Sequence, residues 1–110
     1  MRSSHDVAAD PTGAHFSDPQ LLVLASLAEG PKHGHAMIDD IQQMCGSRLG
    51  PGTLYGAIAR LEQQGWIEPL PAEDRRKPYR LTESGQRVFA AKMQTLQRIV
   101  SVGAARLAWS

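Results

Sequence analysis

The most regular pattern of apolar and polar positions in the chain runs from Pro51 to Gly65. Pro51 suits the first turn of a helix, because its φ is fixed and its missing N–H is not needed there. Gly65 is the residue type that most readily takes the left-handed position after a helix. Between them, apolar side chains recur at the three- and four-residue steps of one helix face, at Leu54, Ala57, Ile58 and Leu61. The pattern predicts an amphipathic helix with a polar, short-chained outer face.

Two shorter apolar patterns precede this helix and also predict helices. Pro19 opens an almost wholly apolar run that ends at Leu27, and Gly30 and Pro31 follow it. The second pattern begins at Gly34, and its apolar face consists of Met37, Ile38, Ile41, Met44 and Cys45. Three short helices joined by tight, glycine-containing loops predict a helix-turn-helix arrangement.

The spacing changes from that of a helix to that of strands after Gly65. Residues 66–70 and 78–82 are short runs with aromatic and branched side chains, and they predict a β-hairpin with its tip at residues 73–77. Four cations fall within six residues of this hairpin: Arg75, Arg76, Lys77 and Arg80. An isolated basic turn usually keeps a hairpin soluble. Here the basic hairpin follows the predicted helix 51–65, whose short polar outer face could lie in the major groove of DNA. A hairpin in this position can reach DNA phosphates.

The last predicted helix begins after Thr82, a good N-cap residue, and Glu83 suits its positive end. Its apolar positions are spaced four, three, four, three and four residues apart, at Phe89, Met93, Leu96, Val100, Gly103 and Leu107. This heptad seam is too short for an independent coiled coil. It predicts a dimerisation face that packs partly on the first helix.

Charge is distributed unevenly along the 110 residues. Residues 1–45 hold two cations against six acids, a net charge of −4, whereas residues 46–110 hold ten cations against five acids, a net charge of +5, which together give the overall +1. The basic half contains the amphipathic helix and the hairpin.

Length and composition predict one domain with a terminal tail. Residues 1–16 mix small and polar residues without a period and predict a disordered tail. The single cysteine excludes an intrachain disulfide, and no apolar run reaches the roughly 18–20 residues needed to span a bilayer. We therefore expect a cytoplasmic protein that makes no membrane contact.

The sequence contains no pattern that predicts catalysis or a bound cofactor. Nucleophile–base motifs, phosphate-binding glycine loops and paired carboxylates in apolar surroundings are all missing, so we do not expect an enzyme. A metal- or haem-responsive sensor that uses His33, His35 and Cys45 is an alternative. It is disfavoured because His33 and His35 flank a turn and Cys45 falls on an apolar helix face. We expect no cofactor and no metal.

Four stretches, taken together, resemble the PadR family of bacterial transcriptional regulators. They are LAEGPKHGH at 27–35, GPGTLY at 50–55, RLEQQGWI at 60–67 and RKPYRLTESG at 76–85. The resemblance covers roughly residues 20–90 and implies a winged helix-turn-helix fold and a dimer built through the first and last helices. It further implies repression at promoters with two half-sites, and release by a small, often aromatic effector. The single helix after the wing is similar to the smaller subfamily.

The resemblance implies that the predicted helix 51–65 is the recognition helix. Two residues on its outer face depart from the family pattern. Members often carry proline where this chain has Gly56, and lysine where it has Ala59. The second difference removes a cation and leaves Arg60 and the wing to supply more of the DNA affinity.

The sequence thus predicts a mainly α protein with a small β-hairpin, divided into a tail (1–16), a winged helix-turn-helix domain (17–82) and a C-terminal dimerisation helix (83–110). The function predicted is that of a dimeric repressor of a pseudo-palindromic operator in double-stranded DNA. The alternative from another class is a winged-helix module that binds protein partners without DNA.

The predicted contacts fall into three groups. The DNA-binding residues are Pro51, Thr53, Tyr55, Arg60, Arg75, Arg76, Lys77 and Arg80. The dimer interface consists of Leu21 and Leu24 from the first helix, with Phe89, Met93, Leu96, Val100, Gly103 and Leu107 from the last. The effector pocket that the resemblance implies is placed near Leu24, Met93, Leu96 and Trp109.

Overall fold

Residues 18–109 are described by a computed structural model, and the predicted tail of residues 1–16 lies outside this range. The described part of the chain contains four helices and one three-stranded antiparallel sheet. In chain order the elements are α1 (Pro19–Leu27), β1 (Lys32–His33), α2 (Gly34–Cys45), α3 (Pro51–Gln63), β2 (Ile67–Pro69), β3 (Pro78–Leu81) and α4 (Glu83–Ala108). The prediction of a mainly α fold with a small sheet is confirmed.

Local capping signals begin and end these helices. The Asp18 carboxylate accepts a hydrogen bond from the backbone N–H of Leu21 at 3.1 Å, and the Thr82 hydroxyl accepts one from the N–H of Gly85 at 3.0 Å. Both bonds satisfy amide groups that a helix N-terminus leaves without an intrahelical acceptor. The glycine at position 65 takes the predicted left-handed conformation after α3, with φ of 78°.

The core lies where α1 crosses α2 and α3. Its members are buried apolar side chains from the first three helices together with one residue each from β2 and β3: Leu22, Val23, Leu24, Leu27, Met37, Ile38, Ile41, Leu54, Ala57, Ile58, Leu61, Ile67 and Tyr79. The apolar faces predicted for α1 and α3 are therefore confirmed.

Two predictions about apolar faces are wrong in detail. Leu24 is fully buried in the core of its own chain, so it offers no surface to a second subunit or to a ligand. The buried face of α2 ends at Ile41, because α2 extends past the core beyond this residue and leaves Met44 and Cys45 exposed. The Cys45 thiol lies 3.5 Å from the Ile41 carbonyl oxygen, to which it donates.

The sheet contains one strand that the sequence pattern does not reveal. Its order is β1-β3-β2, so β3 is central and pairs with both neighbours. Lys32 and His33 of β1 lie opposite Tyr79 and Pro78. This two-residue strand carries no alternation of apolar and polar side chains. It forms because β3 presents an open edge beside the start of α2.

A polar cluster joins α1, β1 and α2 behind the core. The Ser26 hydroxyl, fully buried, donates to the Asp40 carboxylate at 2.7 Å. The Lys32 ammonium donates to the Ser26 carbonyl and forms ion pairs with Glu29 at 2.7 Å and Asp40 at 3.9 Å. Because buried polar groups are costly unless paired, this cluster favours one relative placement of the three elements.

The beginning of α4 packs tightly on the loop between α3 and β2. The backbone N–H of Thr82 donates to the Trp66 carbonyl at 3.0 Å, and the Cα of Gly85 lies against that same carbonyl. Four residues further on, Phe89 packs on the core. The first turns of α4 are therefore fixed to the part of the fold formed by α1–α3 and the sheet, whereas its second half extends away from it.

Gly85→Ala should destabilise the protein, because its Cβ would collide with the Trp66 backbone. We expect the free energy of unfolding in denaturant to fall by about 1–3 kcal/mol, the usual cost of overpacking. Gly56→Ala in α3 is the matched control, since its Cβ would meet no atom within 4 Å. Gly56→Ala should raise the free energy of unfolding by about 0.5–1 kcal/mol. Equal stability of the two variants at one protein concentration would contradict the packing described.

Candidate nucleic-acid interface

The face of α3 opposite the core is open to solvent. All four residues predicted to contact DNA from this helix are exposed: Pro51, Thr53, Tyr55 and Arg60. Since the apolar side of α3 is fixed against α1 and α2, these residues cannot turn inward. The helix therefore presents one constant polar surface.

Tyr55 also has a packing role. Its side chain is half exposed, and its hydroxyl end lies directly on the Cα of Gly34, the first residue of α2. Any side chain at position 34 would collide with the phenol. The sequence pattern predicted no role for Gly34, although a glycine inside a predicted helix start is itself a signal of close approach.

The wing is the hairpin formed by β2, β3 and the loop between them. It ends in a tight two-residue turn. Glu73 and Arg76 exchange two backbone hydrogen bonds of 2.7 and 2.8 Å, and Asp74 and Arg75 between them have φ of 48° and 67°. Positive φ at both central residues is the geometry of hairpin turns that match strand twist. The turn thus occupies the first part of the predicted tip, and Arg75, Arg76 and Lys77 are all exposed there.

The wing cations differ in their surroundings. The Lys77 ammonium lies 5.8 Å from the centroid of the Tyr79 ring, which orients it along β3. Arg80 lies opposite Glu68 in the sheet and donates to its carboxylate at 2.6 Å. Its charge is therefore partly compensated within the protein, and a phosphate would have to compete with Glu68. The sequence pattern did not predict this pairing, although the register of the predicted hairpin could have indicated it.

Tyr79 joins the wing to the recognition helix. Burial raises the pKa of its phenol above the ordinary value of 10.0, and the neighbouring charge of Glu62 and the Tyr55 phenol add to the effect. Tyr79 is buried in the same core as the apolar face of α3, and β2, which pairs with β3, follows α3 directly in the chain. The helix and the wing are therefore both anchored in one core.

The predicted dimer and effector residues occupy a different part of the molecule. Phe89, Met93 and Leu96 are half-buried, whereas Val100 and Leu107 are 67% and 77% exposed. Leu21 and Leu96 line a hollow of about 360 Å³ between α1 and α4. Trp109 is 89% exposed and follows Leu96 by thirteen residues, a distance of about 20 Å along a helix. One chain therefore cannot bring Trp109 and Leu96 to the same pocket.

The three residues of the metal-sensor alternative have separate local partners. His33 caps α2 by accepting from the Ala36 N–H at 3.3 Å, and exposed His35 lies 3.9 Å from the Asp39 carboxylate. Cys45 is at the opposite end of the same helix. Within residues 18–109, no three His, Cys, Asp or Glu side chains are grouped so that they could hold a metal ion.

Comparison with known proteins identifies the family. Residues 23–91 match the transcriptional regulator PadR-like family. The chain is also 43% identical, over 83 residues, to a 37.1 kDa protein of transposon TN4556 from Streptomyces fradiae. This match covers 76% of the chain but only 24% of that longer relative.

Solved structures agree with the family match. A transcriptional regulator from Clostridium thermocellum is 29% identical with a TM-score of 0.68, covering 76% of this chain and 86% of that one. A PadR family transcription regulator from Clostridium difficile R20291 is 23% identical with a TM-score of 0.74, covering 81% and 97%.

The helices and the small sheet form a winged-helix fold. The chain belongs to the PadR family of transcriptional regulators. Members of this family regulate transcription and are not enzymes, so the expectation that this chain is not an enzyme is confirmed. Among the described residues, no helix is long and apolar enough to cross a membrane.

The raised pKa of Tyr79 predicts a loss of stability at high pH. Above about pH 10 the unfolded phenol releases its proton while the folded one retains it, so the free energy of unfolding falls as pH rises. Tyr79→Phe should show a shallower fall between about pH 9 and 11 in denaturant unfolding, with its value at pH 7 as the reference. The same pH dependence in both proteins would contradict burial of this phenol.

Proposed function

We propose that the protein is a dimeric repressor that binds a pseudo-palindromic operator, with α3 in the major groove and the wing on neighbouring phosphates. The observation that carries this proposal is the exposed polar face of α3 together with the exposed basic hairpin that is anchored in the same core. The geometry suits DNA because an α-helix fits the major groove and a flanking hairpin then reaches the backbone.

We assign the exposed residues of α3 two roles: orienting the protein on the DNA and contacting base edges. Thr53 and Arg60 stand one behind the other on the flank of the helix that faces the start of α1. Rigid placement on a helix suits contacts with base edges or a fixed phosphate. Pro51 starts the helix, and Tyr55 offers its hydroxyl near the opposite flank.

Residues on the wing are assigned to phosphates. Arg75 and Arg76 carry long, exposed side chains on either side of the turn, and Lys77 follows on the strand. Such side chains reach the backbone readily and carry no sequence information. We place Arg80 in the same group, with Glu68 as its partner when DNA is absent.

The second half of α4 supplies the proposed dimer contact. Its exposed apolar side chains include Ile99, Val100, Val102 and Leu107. Exposed apolar surface of this extent is typical of protein interfaces, and a second copy of the chain would cover it symmetrically. We propose residues 83–110 as the dimerisation helix, with Leu21 contributing from α1. Two half-sites separated by one turn of DNA, about 34 Å, would then face two recognition helices.

A planar aromatic effector is proposed for the hollow between α1 and α4. Leu21 and Leu96 supply apolar walls, and Lys92 and Thr95 supply polar groups. Met93 lies half-buried on the same helix, and Trp109 would have to come from the second subunit. Because α1 also contacts α3, a ligand here could alter the placement of the recognition helices.

Replacing Arg75 and Arg76 together by alanine should weaken binding to operator and random duplex alike. We expect the slope of log affinity against log salt to flatten by ~1.8, at about 0.9 for each phosphate that the variant no longer neutralises. The measurement is fluorescence anisotropy at several salt concentrations. The matched control replaces Arg87 and Arg98, two exposed cations of α4. It removes the same charge and should leave the slope unchanged.

An unchanged slope in the wing variant would show that the wing does not touch phosphates. The alternative of a protein-binding winged helix would then be favoured, because α4 offers exposed apolar surface and the chain has a net charge of only +1.

Leu96→Glu should separate the proposed dimer, since it places a charge in the apolar contact at a cost of several kcal/mol. Val100→Glu is the companion variant, because Val100 is two-thirds exposed in the single chain and its replacement should not disturb folding. Sedimentation should show folded monomers for Val100→Glu. Gln94→Glu, on the opposite side of α4, should remain dimeric. A dimer that survives both apolar replacements would refute this interface.

A further inference from the structure

The outermost line of α3 carries almost no side chains along its first half. Gly52, Gly56 and Ala59 are all exposed. At 100° per residue they lie opposite the buried Leu54 and Leu61. The part of the helix that would point most directly at DNA is therefore bare backbone and one methyl group. Longer polar side chains occupy its flanks and its end.

Within residues 18–109, nothing in the packing around Gly56 requires a glycine. It lies inside a helix, and a Cβ built on it would meet no atom within 4 Å. Gly34 and Gly85 differ, because a Cβ there would collide with Tyr55 or Trp66, and Gly46 and Gly65 take positive φ. Glycine inside a helix lowers stability relative to alanine, so position 56 carries a cost that nothing within the described residues offsets.

We infer that Gly56 determines the fit of α3 to its operator, by leaving the helix backbone free to approach the base edges. This inference rests on the proposed DNA-binding function. A helix with its side chains is about 10–12 Å across and the major groove is about 12 Å wide, so one added side chain on the outermost line decides how deeply the helix sits.

The surface beside Gly56 supports a deep position for the helix. A hollow of about 270 Å³ separates α3 from the start of α1, and Thr53 and Arg60 stand along it. Thr53 has a short side chain that reaches a base edge only if the backbone itself comes close. Gly56 therefore acts through Thr53 and Arg60, as a positioning residue for their contacts.

The test compares wild type, Gly56→Ala and Gly56→Leu on two duplexes: the operator selected by the wild type from random sequences, and a scrambled duplex. Gly56→Ala should raise the melting temperature by about 2–8 °C. It should nevertheless weaken operator binding about tenfold, the effect of a misfit worth roughly 1.4 kcal/mol. Gly56→Leu should weaken it further. Binding to the scrambled duplex should change little, because phosphate contacts dominate it.

Ala105→Leu is the control, since it places the same leucine side chain at an exposed position of α4 and should leave both affinities unchanged. Operator binding by Gly56→Ala equal to that of wild type would overturn the inference while leaving the proposed function intact. If the wild-type protein selects no duplex from the random sequences, the proposed function is overturned, and this inference with it. Because Gly56→Ala adds a methyl group to open space, misfolding cannot account for its weaker binding.

Discussion

Burial of the apolar face of α3 against α1 and α2 is the contact on which the interface depends. Leu54, Ile58 and Leu61 are almost fully enclosed, and burying each such side chain contributes about 1.5–3 kcal/mol relative to exposure. Because this face is fixed inward, the opposite face has to point outward. The packing that stabilises the domain thus also keeps Thr53 and Arg60 on the exposed face that we propose for DNA binding.

Two further buried residues fix the position of the wing relative to α3. Ile67, at the start of β2, is buried in the core, and Tyr79 of the central strand is buried in the same core as the apolar face of α3. The hairpin can therefore not move far relative to the recognition helix. Its tight turn sets the direction in which Arg75 and Arg76 leave the strands.

Most of this arrangement could be predicted from the sequence because its signals are local. The apolar stripe of α3, the capping role of Thr82 and the hairpin strands each depend on residues close together in the chain. What could not be predicted depends on contacts between distant elements. The strand at Lys32 exists only because β3 lies beside it, and Met44 is exposed because α2 extends past the core. Leu24 fits an apolar pattern that does not distinguish a core from an interface.

The outer face of α3 and the wing form, on this view, one DNA-binding surface that is separate from the apolar half of α4. Titration of the isotope-labelled protein with the selected operator duplex, followed by backbone amide NMR shifts, tests this directly. We expect the largest shifts at residues 52–60 and 74–77, with residues 99–107 almost unchanged. Shifts confined to α4, with α3 unaffected, would contradict it.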